Sequence, residues 1–206
     1  PGYDPVHSEP DHALIKEAVA AAGEADVAVV FAGLPEIYES EGFDREHMRL
    51  PSQHDELIRA VAATNANTIV VLANGAPVEM PWLTEVGAVL EAYLGGQAAG
   101  SGIADILMGR SNPCGKLAET FAEQLSDIPA QRWFPGEDRQ IQYREGLYIG
   151  YRYFDTARRP VLFPFGHGLS YTNFEISEAK FSGDTLPPKG SVFLKVQINQ
   201  KLGKLK

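Results

Sequence analysis

The 206-residue chain has a single cysteine, Cys114, so no disulfide and no multi-cysteine metal site can form within it. A lone thiol points toward a reducing, cytoplasmic setting without fixing the localisation. No apolar run approaches the about 18 residues of a membrane-spanning helix, and no membrane partner is expected. The opening, Pro1-Gly2-Tyr3-Asp4-Pro5, has neither the basic start nor the apolar stretch of a signal peptide. It also lacks an initiator Met and reads as an interior piece of a longer chain. Basic residues are in deficit: 18 Lys and Arg stand against 27 Asp and Glu, for a net charge of −9. Nucleic acid and anionic lipid, which need clustered cations, are therefore not expected as partners. A neutral, hydroxyl-rich ligand such as a sugar is compatible with that balance. What the chain does have is 44% apolar and 22% charged residues, enough to fold a globular core rather than remain disordered.

The first half alternates two periodicities. Residues 11–24 set Leu14, Ile15, Ala18, Val19 and Ala22 at helical spacing behind Pro10. Residues 27–32 are a continuous apolar run of the length of a buried parallel strand, ended by Gly33. A second helix opens at 51–55, where Ser52 and Asp55 are spaced like an acidic capping box and Leu57, Ile58, Val61 and Ala62 form the inner stripe. Residues 69–73 and 88–93 read as two further strands, and 97–108 as a helix stopped by Gly109. Strand–helix repeats imply right-handed crossovers. The fold class is α/β, a mostly parallel sheet sandwiched by helices and followed by a short β segment. From about residue 112 onward Pro, Gly and aromatics become frequent and no long helical stripe appears. Residues 174–181 and 191–198 alternate like strands, with Pro187-Pro188-Lys189-Gly190 between them, and the basic end at 200–206 is featureless.

Ligands of such sheets bind beyond the carboxyl ends of the strands. The segment 35–50 leaves the first strand there and is too long for a mere connector. It carries five carboxylates in eleven residues: Glu36, Glu39, Glu41, Asp44 and Glu46. Crowding of like charges raises the pKa of a partly buried member, and a carboxyl protonated near neutrality suits general-acid chemistry. The same spacing fits a solvated loop in which Arg45 and Arg49 are ion-pair partners, and spacing alone leaves both readings open. The glycine-rich stretch 95–102 departs from G-x-G-x-x-G, so no cofactor is expected. His167 reads as a packed turn residue, and Trp82, after Pro81, as packing on a helix end. The tyrosines from 143 to 153 read first as core. The alternative makes Tyr143, with Trp133 in a loop, the rim of a sugar site.

Eight motifs in order carry a more specific signal. Ser40-Glu41-Gly42-Phe43-Asp44-Arg45-Glu46 with Leu50-Pro51 resembles the signature loop in the second domain of family-three glycoside hydrolases of the β-glucosidase type. Asn67-Thr68-Ile69-Val70-Val71-Leu72, Gly75-Ala76-Pro77-Val78-Glu79-Met80-Pro81-Trp82 and Gly95-Gly96-Gln97 are similar to the segments that follow. So are Ala104-Asp105-Ile106-Leu107-Met108-Gly109, Asn112-Pro113-Cys114-Gly115-Lys116-Leu117 and Tyr143-Arg144-Glu145-Gly146-Leu147-Tyr148-Ile149-Gly150-Tyr151-Arg152-Tyr153. Phe163-Pro164-Phe165-Gly166-His167-Gly168-Leu169-Ser170-Tyr171-Thr172 ends the series. The resemblance spans about residues 10–181.

It implies a retaining, exo-acting β-glycosidase whose first, barrel-shaped domain supplies the nucleophilic Asp and whose second, α/β domain lends the acid/base Glu. The matching position is Glu41, with Glu39 as competitor, and Asp44 and Arg45 are the residues that would brace the loop. The implied partners are a β-linked glucoside or related oligosaccharide and a barrel domain in cis or in trans; no metal or cofactor is implied. Residues 1–172 would be the α/β sandwich and 173–206 the incomplete start of a fibronectin-III-like domain. Without the barrel the chain alone is expected to be inactive. Leu117-Ala118-Glu119-Thr120-Phe121 keeps the family's shape but not every expected residue. The alternative function is a non-catalytic sugar-binding or interaction module left after loss of the barrel.

Overall fold

A computed structural model of the chain describes residues 2–4, 9–137, 140–186 and 188–202. Pro1 and Pro5 of the opening, Pro187 of the expected turn and the basic end at 203–206 lie outside the described residues. The chain divides into two compact units: Pro1–Ile103 with Leu117–His167, and Ala104–Lys116 with Gly168–Lys206.

The first unit is α/β. Strands β1 (Ala28–Gly33), β2 (Thr68–Ala73) and β3 (Ala88–Glu91) form one parallel sheet in the order β1-β2-β3. Val30 stands beside Val70 and Gly33 beside Ala73, and Leu72 stands beside Glu91. Helix α1 (His12–Gly23) starts where expected because the Asp11 carboxylate accepts from the Ala13 and Leu14 N–H groups at 2.8 and 3.3 Å. Helix α2 (Ser52–Thr64) buries the expected Leu57, Ile58 and Val61. Its N-cap is Pro51, which makes no side-chain cap bond. The capping box does not form: the Asp55 carboxylate accepts from Trp82 Nε1 at 2.8 Å. That bond satisfies the indole of a fully buried Trp, and burial raises the Asp55 pKa. The far ends of α1 and α2 are tied by buried Asn65, whose Nδ2 donates to Ala22 O and Ala25 O at 2.9 and 2.8 Å.

Both helices, the 78–82 segment and Phe121 close over Ala28, Val30, Ala32, Val70 and Leu72 to make the core. The opposite flank of β1 differs from the expected buried run. Val29 is 39% and Phe31 52% exposed, and burial alternates along the strand. The apolar content of 27–32 therefore overstates its cover within the described residues. Among those residues no helix is long and apolar enough to cross a membrane.

Two of the sequence motifs pair with each other in this unit. Phe121 N–H donates to Phe163 O at 2.9 Å and Leu117 N–H to His167 O at 2.8 Å, while Gly166 N–H returns a bond to Leu117 O. His167 packs its ring 4.9 Å from that of Phe163, as a turn residue should. The tyrosine-rich stretch corrects the core expectation: Tyr143 is 86% exposed, and Tyr148 and Tyr151 are exposed as well. In the short helix α4 (Tyr151–Ala157), Phe154 is buried against Met48 and Ala122, and Tyr153 packs partly buried on the same cluster, so the core expectation holds for Tyr153 and not for the other three.

The second unit begins within helix α3 (Ala99–Leu107), at Ala104. Tyr171 Oη donates to Ile106 O, and Asn112 bonds both Tyr171 N and Thr172 Oγ1, all at 2.8 Å. Strands β4 (Thr172–Phe181) and β5 (Leu194–Leu202) form an antiparallel pair with a register shift between Ser177 and Lys180. Phe174, Ile176 and Ile198 on that pair are exposed.

Gly33, at the end of β1, leaves no room for a side chain: a Cβ there would collide with the carbonyl oxygen of Ala73. Gly33→Ala should therefore destabilise the chain by roughly 1–3 kcal/mol in urea unfolding, the usual cost of forced backbone shifts. An unchanged midpoint would show that the strand ends part freely.

Candidate functional site

The segment from Leu34 to Leu50 rises beyond the carboxyl ends of the three parallel strands. It leaves β1 through a tight turn in which Tyr38 N–H donates to Pro35 O at 2.8 Å. Its tip folds back on itself: Ser40 and Phe43 form an isolated antiparallel bridge, and Gly42 N–H donates to Ser40 Oγ at 3.3 Å. It returns past buried Met48 and Leu50, where Glu79 N–H donates to Met48 O at 2.8 Å.

Of the five loop carboxylates, Glu36, Glu41, Asp44 and Glu46 are exposed and only Glu39 is half-buried. Glu41 stands at the tip with no hydrogen bond or ion pair of its side chain among the described residues. Glu39 turns the other way, and its Oε2 accepts from Gly75 N–H at 2.6 Å. Arg45 is half-buried, and its Nη1 donates to Pro77 O at 3.2 Å. The Asp44 side chain is exposed and makes no bond or ion pair among the described residues.

Beneath the loop lies a cluster that sequence reasoning missed. Glu91, last residue of β3, accepts from Tyr93 N–H at 2.9 Å and from Asn74 Nδ2 at 3.2 Å. Burial pushes its pKa up to about 7, opposed by those two bonds and aided by the charges of Glu119 and Glu39. Glu119 is raised by burial and then by Glu39, against the pull of Arg45. Burial lowers Arg45, while Glu39, Glu119 and Glu79 favour its charged form. Arg45 Nη2 and Asn74 Oδ1 are buried without a hydrogen-bond partner among the described residues. Glu91, at the end of β3, is not one of the five loop carboxylates. Glu91 has both oxygens occupied by protein donors and is no free donor to a ligand. The clue in the sequence was a lone Glu inside the apolar 88–93 run, a place where a charge is rarely left solvated. No group of three or more His, Cys, Asp or Glu among the described residues is arranged to hold a metal ion.

Trp133 and Tyr143 are the expected sugar rim. Trp133 lines an open cavity of about 710 Å³ with Tyr148, Tyr153, Arg132, Arg144 and Glu145. The Arg144 guanidinium lies 4.2 Å from the centre of its ring and occupies one face. Tyr143 is not among the lining residues.

Glu91 and His54 give stability opposite pH dependences. Glu91 holds its proton more tightly in the fold, about 7 against 4.5, so its contribution is full at acid pH and is lost as pH rises through 7. His54 is buried against Tyr3 and accepts from Gly33 N–H at 3.5 Å, and burial lowers its pKa from 6.5 to about 4. Its contribution is full above its unfolded pKa and is lost as pH falls through 4. Each is worth on the order of 3 kcal/mol. Glu91→Gln should remove the first slope alone. Urea unfolding across pH 4–8 should then show the variant gaining on the native chain steadily as pH rises, and a constant difference would refute the assignment.

Residues 6–171 match the model of the glycosyl hydrolase family 3 C-terminal domain. The chain is 52% identical over 204 residues to thermostable β-glucosidase B of Acetivibrio thermocellus, covering 99% of this chain and 27% of that protein. Among solved structures, the Bifidobacterium adolescentis GH3 β-glucosidase superposes with a TM-score of 0.85 at 36% identity, over 98% of this chain and 35% of that one. DesR, a β-glucosidase from Streptomyces venezuelae in complex with D-glucose, gives 0.81 at 43% identity over 90% of this chain and 24% of that one. The chain thus spans about a quarter to a third of the relatives it matches. With the parallel sheet, the paired motifs and the loop in the same order, it belongs to glycosyl hydrolase family 3, as the C-terminal domain of the β-glucosidase type.

Proposed function

We propose that the chain is the acid/base part of a retaining, exo-acting β-glucosidase and that Glu41 is the residue it contributes. The observation that carries this is the position of Glu41: it alone of the motif's two candidate glutamates is free at the exposed tip, where a sugar held by another domain can reach it. Glu39, the competitor, is committed to Gly75. In this reading a barrel domain, in cis or in trans, binds the β-linked glucoside and supplies the nucleophilic Asp. Glu41 then donates its proton to the departing oxygen as the Asp carboxylate attacks the anomeric carbon. In the second step it takes a proton from the water that releases the glycosyl-enzyme, with the two carboxyls about 5 Å apart. The chain by itself holds the acid/base group without the nucleophile, and on this reading is inactive alone.

In the same reading residues 1–172 form the α/β domain and 173–206 begin a fibronectin-III-like domain, for which the β4–β5 antiparallel pair is the support. Trp133, which lines the open cavity, and Tyr143 are the candidate sugar contacts in this reading. A sugar-binding module without catalysis gains no particular support from the cavity, because Arg144 already covers one Trp133 face.

The test joins this chain to the part of the Acetivibrio thermocellus relative that lies outside the matched 204 residues. Glu41→Ala in that fusion should lower kcat/KM for phenyl β-glucoside by about 10²–10⁴. The 2,4-dinitrophenyl glucoside needs no protonation, and its kcat/KM should stay near the native value. Equal retention of both activities would overturn the role of Glu41.

A further inference from the structure

We infer that Glu39 is a positioning residue: with Arg45 it staples the two flanks of the tip to the segment after β2, and so fixes where Glu41 presents its carboxyl. The inference rests on Glu41 being the proton donor. On the N-terminal flank, Glu39 Oε2 accepts from Gly75 N–H at 2.6 Å, the length of a strong charge-assisted bond. On the C-terminal flank, Arg45 Nη1 donates to Pro77 O at 3.2 Å. The two anchors are two residues apart in the 75–77 segment and enclose the tip, which the Ser40–Phe43 bridge and the Gly42–Ser40 bond close internally. Opposite charges on Glu39 and Arg45 draw the flanks toward each other.

Gly75 is part of the device. A Cβ at that position would lie 3.1–3.2 Å from the three atoms of the Glu39 carboxylate, tighter than ordinary contact. The missing side chain lets the carboxylate reach the backbone. Asn74, just before it, is fully buried and donates to Ala76 O and Glu91, so the donor that Glu39 uses follows directly on an anchored residue at the end of β2. A tip held at one flank only would spread Glu41 over many positions, and a misplacement of about 1 Å can cost about a hundredfold in rate.

Glu39 acts through Glu41 and so should give the signature of a weakened proton donor. In the fusion with the Acetivibrio thermocellus barrel-side segment, Glu39→Ala should lower kcat/KM for phenyl β-glucoside about tenfold to a hundredfold, with kcat/KM for the 2,4-dinitrophenyl glucoside within about threefold of native. Glu39→Gln keeps an acceptor oxygen and should recover most of the loss. Glu39→Ala added to Glu41→Ala should cost nothing more, because coupled residues are non-additive. In the isolated 206-residue chain, hydrogen exchange of the Gly75 amide should quicken at least about tenfold in Glu39→Ala and little in Glu39→Gln, a readout that needs no activity. The inference is overturned if Gly75 exchange is unchanged, if both glucosides lose equally, or if the double variant falls below Glu41→Ala. Should Glu39→Ala match that pattern while Glu41→Ala is fully active, Glu39 is itself the donor and the proposed role of Glu41 fails with it.

Discussion

Parallel, in-register pairing of β1, β2 and β3 is the constraint from which the rest follows. It brings Gly33, Ala73 and Glu91 to one end of the sheet, so that each chain segment leaving that end meets the other two. Backbone groups freed there must find partners. Glu39, Arg45, Asn74 and Glu91 supply them from side chains, to Gly75 N, Pro77 O, Ala76 O and Tyr93 N. Gly33 leaves room for the Ala73 carbonyl and Gly75 for the Glu39 carboxylate. The tip of the 34–50 loop is thereby tied to the segment after β2.

The electrostatics follow from the same crowding. Three carboxyls, Glu39, Glu119 and Glu79, act on one guanidinium, Arg45, while Glu91 feels the charges of Glu119 and Glu39. Burial makes Glu91 resist ionisation, while Glu39 keeps a short bond to a backbone N–H. Glu41 is kept out of this cluster. Two glutamates separated by one residue thus have different tasks: one faces down and is bonded, the other faces out and is free.

Much of this was legible in the sequence. The periods of α1 and α2 gave their buried faces nearly residue for residue, because amphipathic helices bury whatever the 3.6-residue repeat places inward. The ordered motifs identified the family, and their pairing explains their co-occurrence: 117–121 and 163–167 bond to each other across some forty residues of chain. What was not legible depended on distant partners. Asp55 looks like a cap until Trp82 is placed beside it, and the lone Glu91 looks anomalous until Asn74 and Tyr93 are seen to bond it. The tyrosines from 143 to 151 look like core but are exposed, and it is Phe154, with Tyr153 partly buried beside it, that packs against Met48 and Ala122. Spacing could not tell Glu39 from Glu41 either, since the difference lies in which one Gly75 can reach.

The uncovered flank of β1 bears on handling the molecule. Val29 and Phe31 face outward on the terminal strand of the sheet, which among the described residues has no strand on its outer side. Unpaired backbone groups beside apolar side chains form a template for any extended segment that comes near, another copy of the same strand included. Concentrated solutions of the separate chain are therefore prone to sticking edge to edge, and a lysine set into that flank is the ordinary remedy for such an edge.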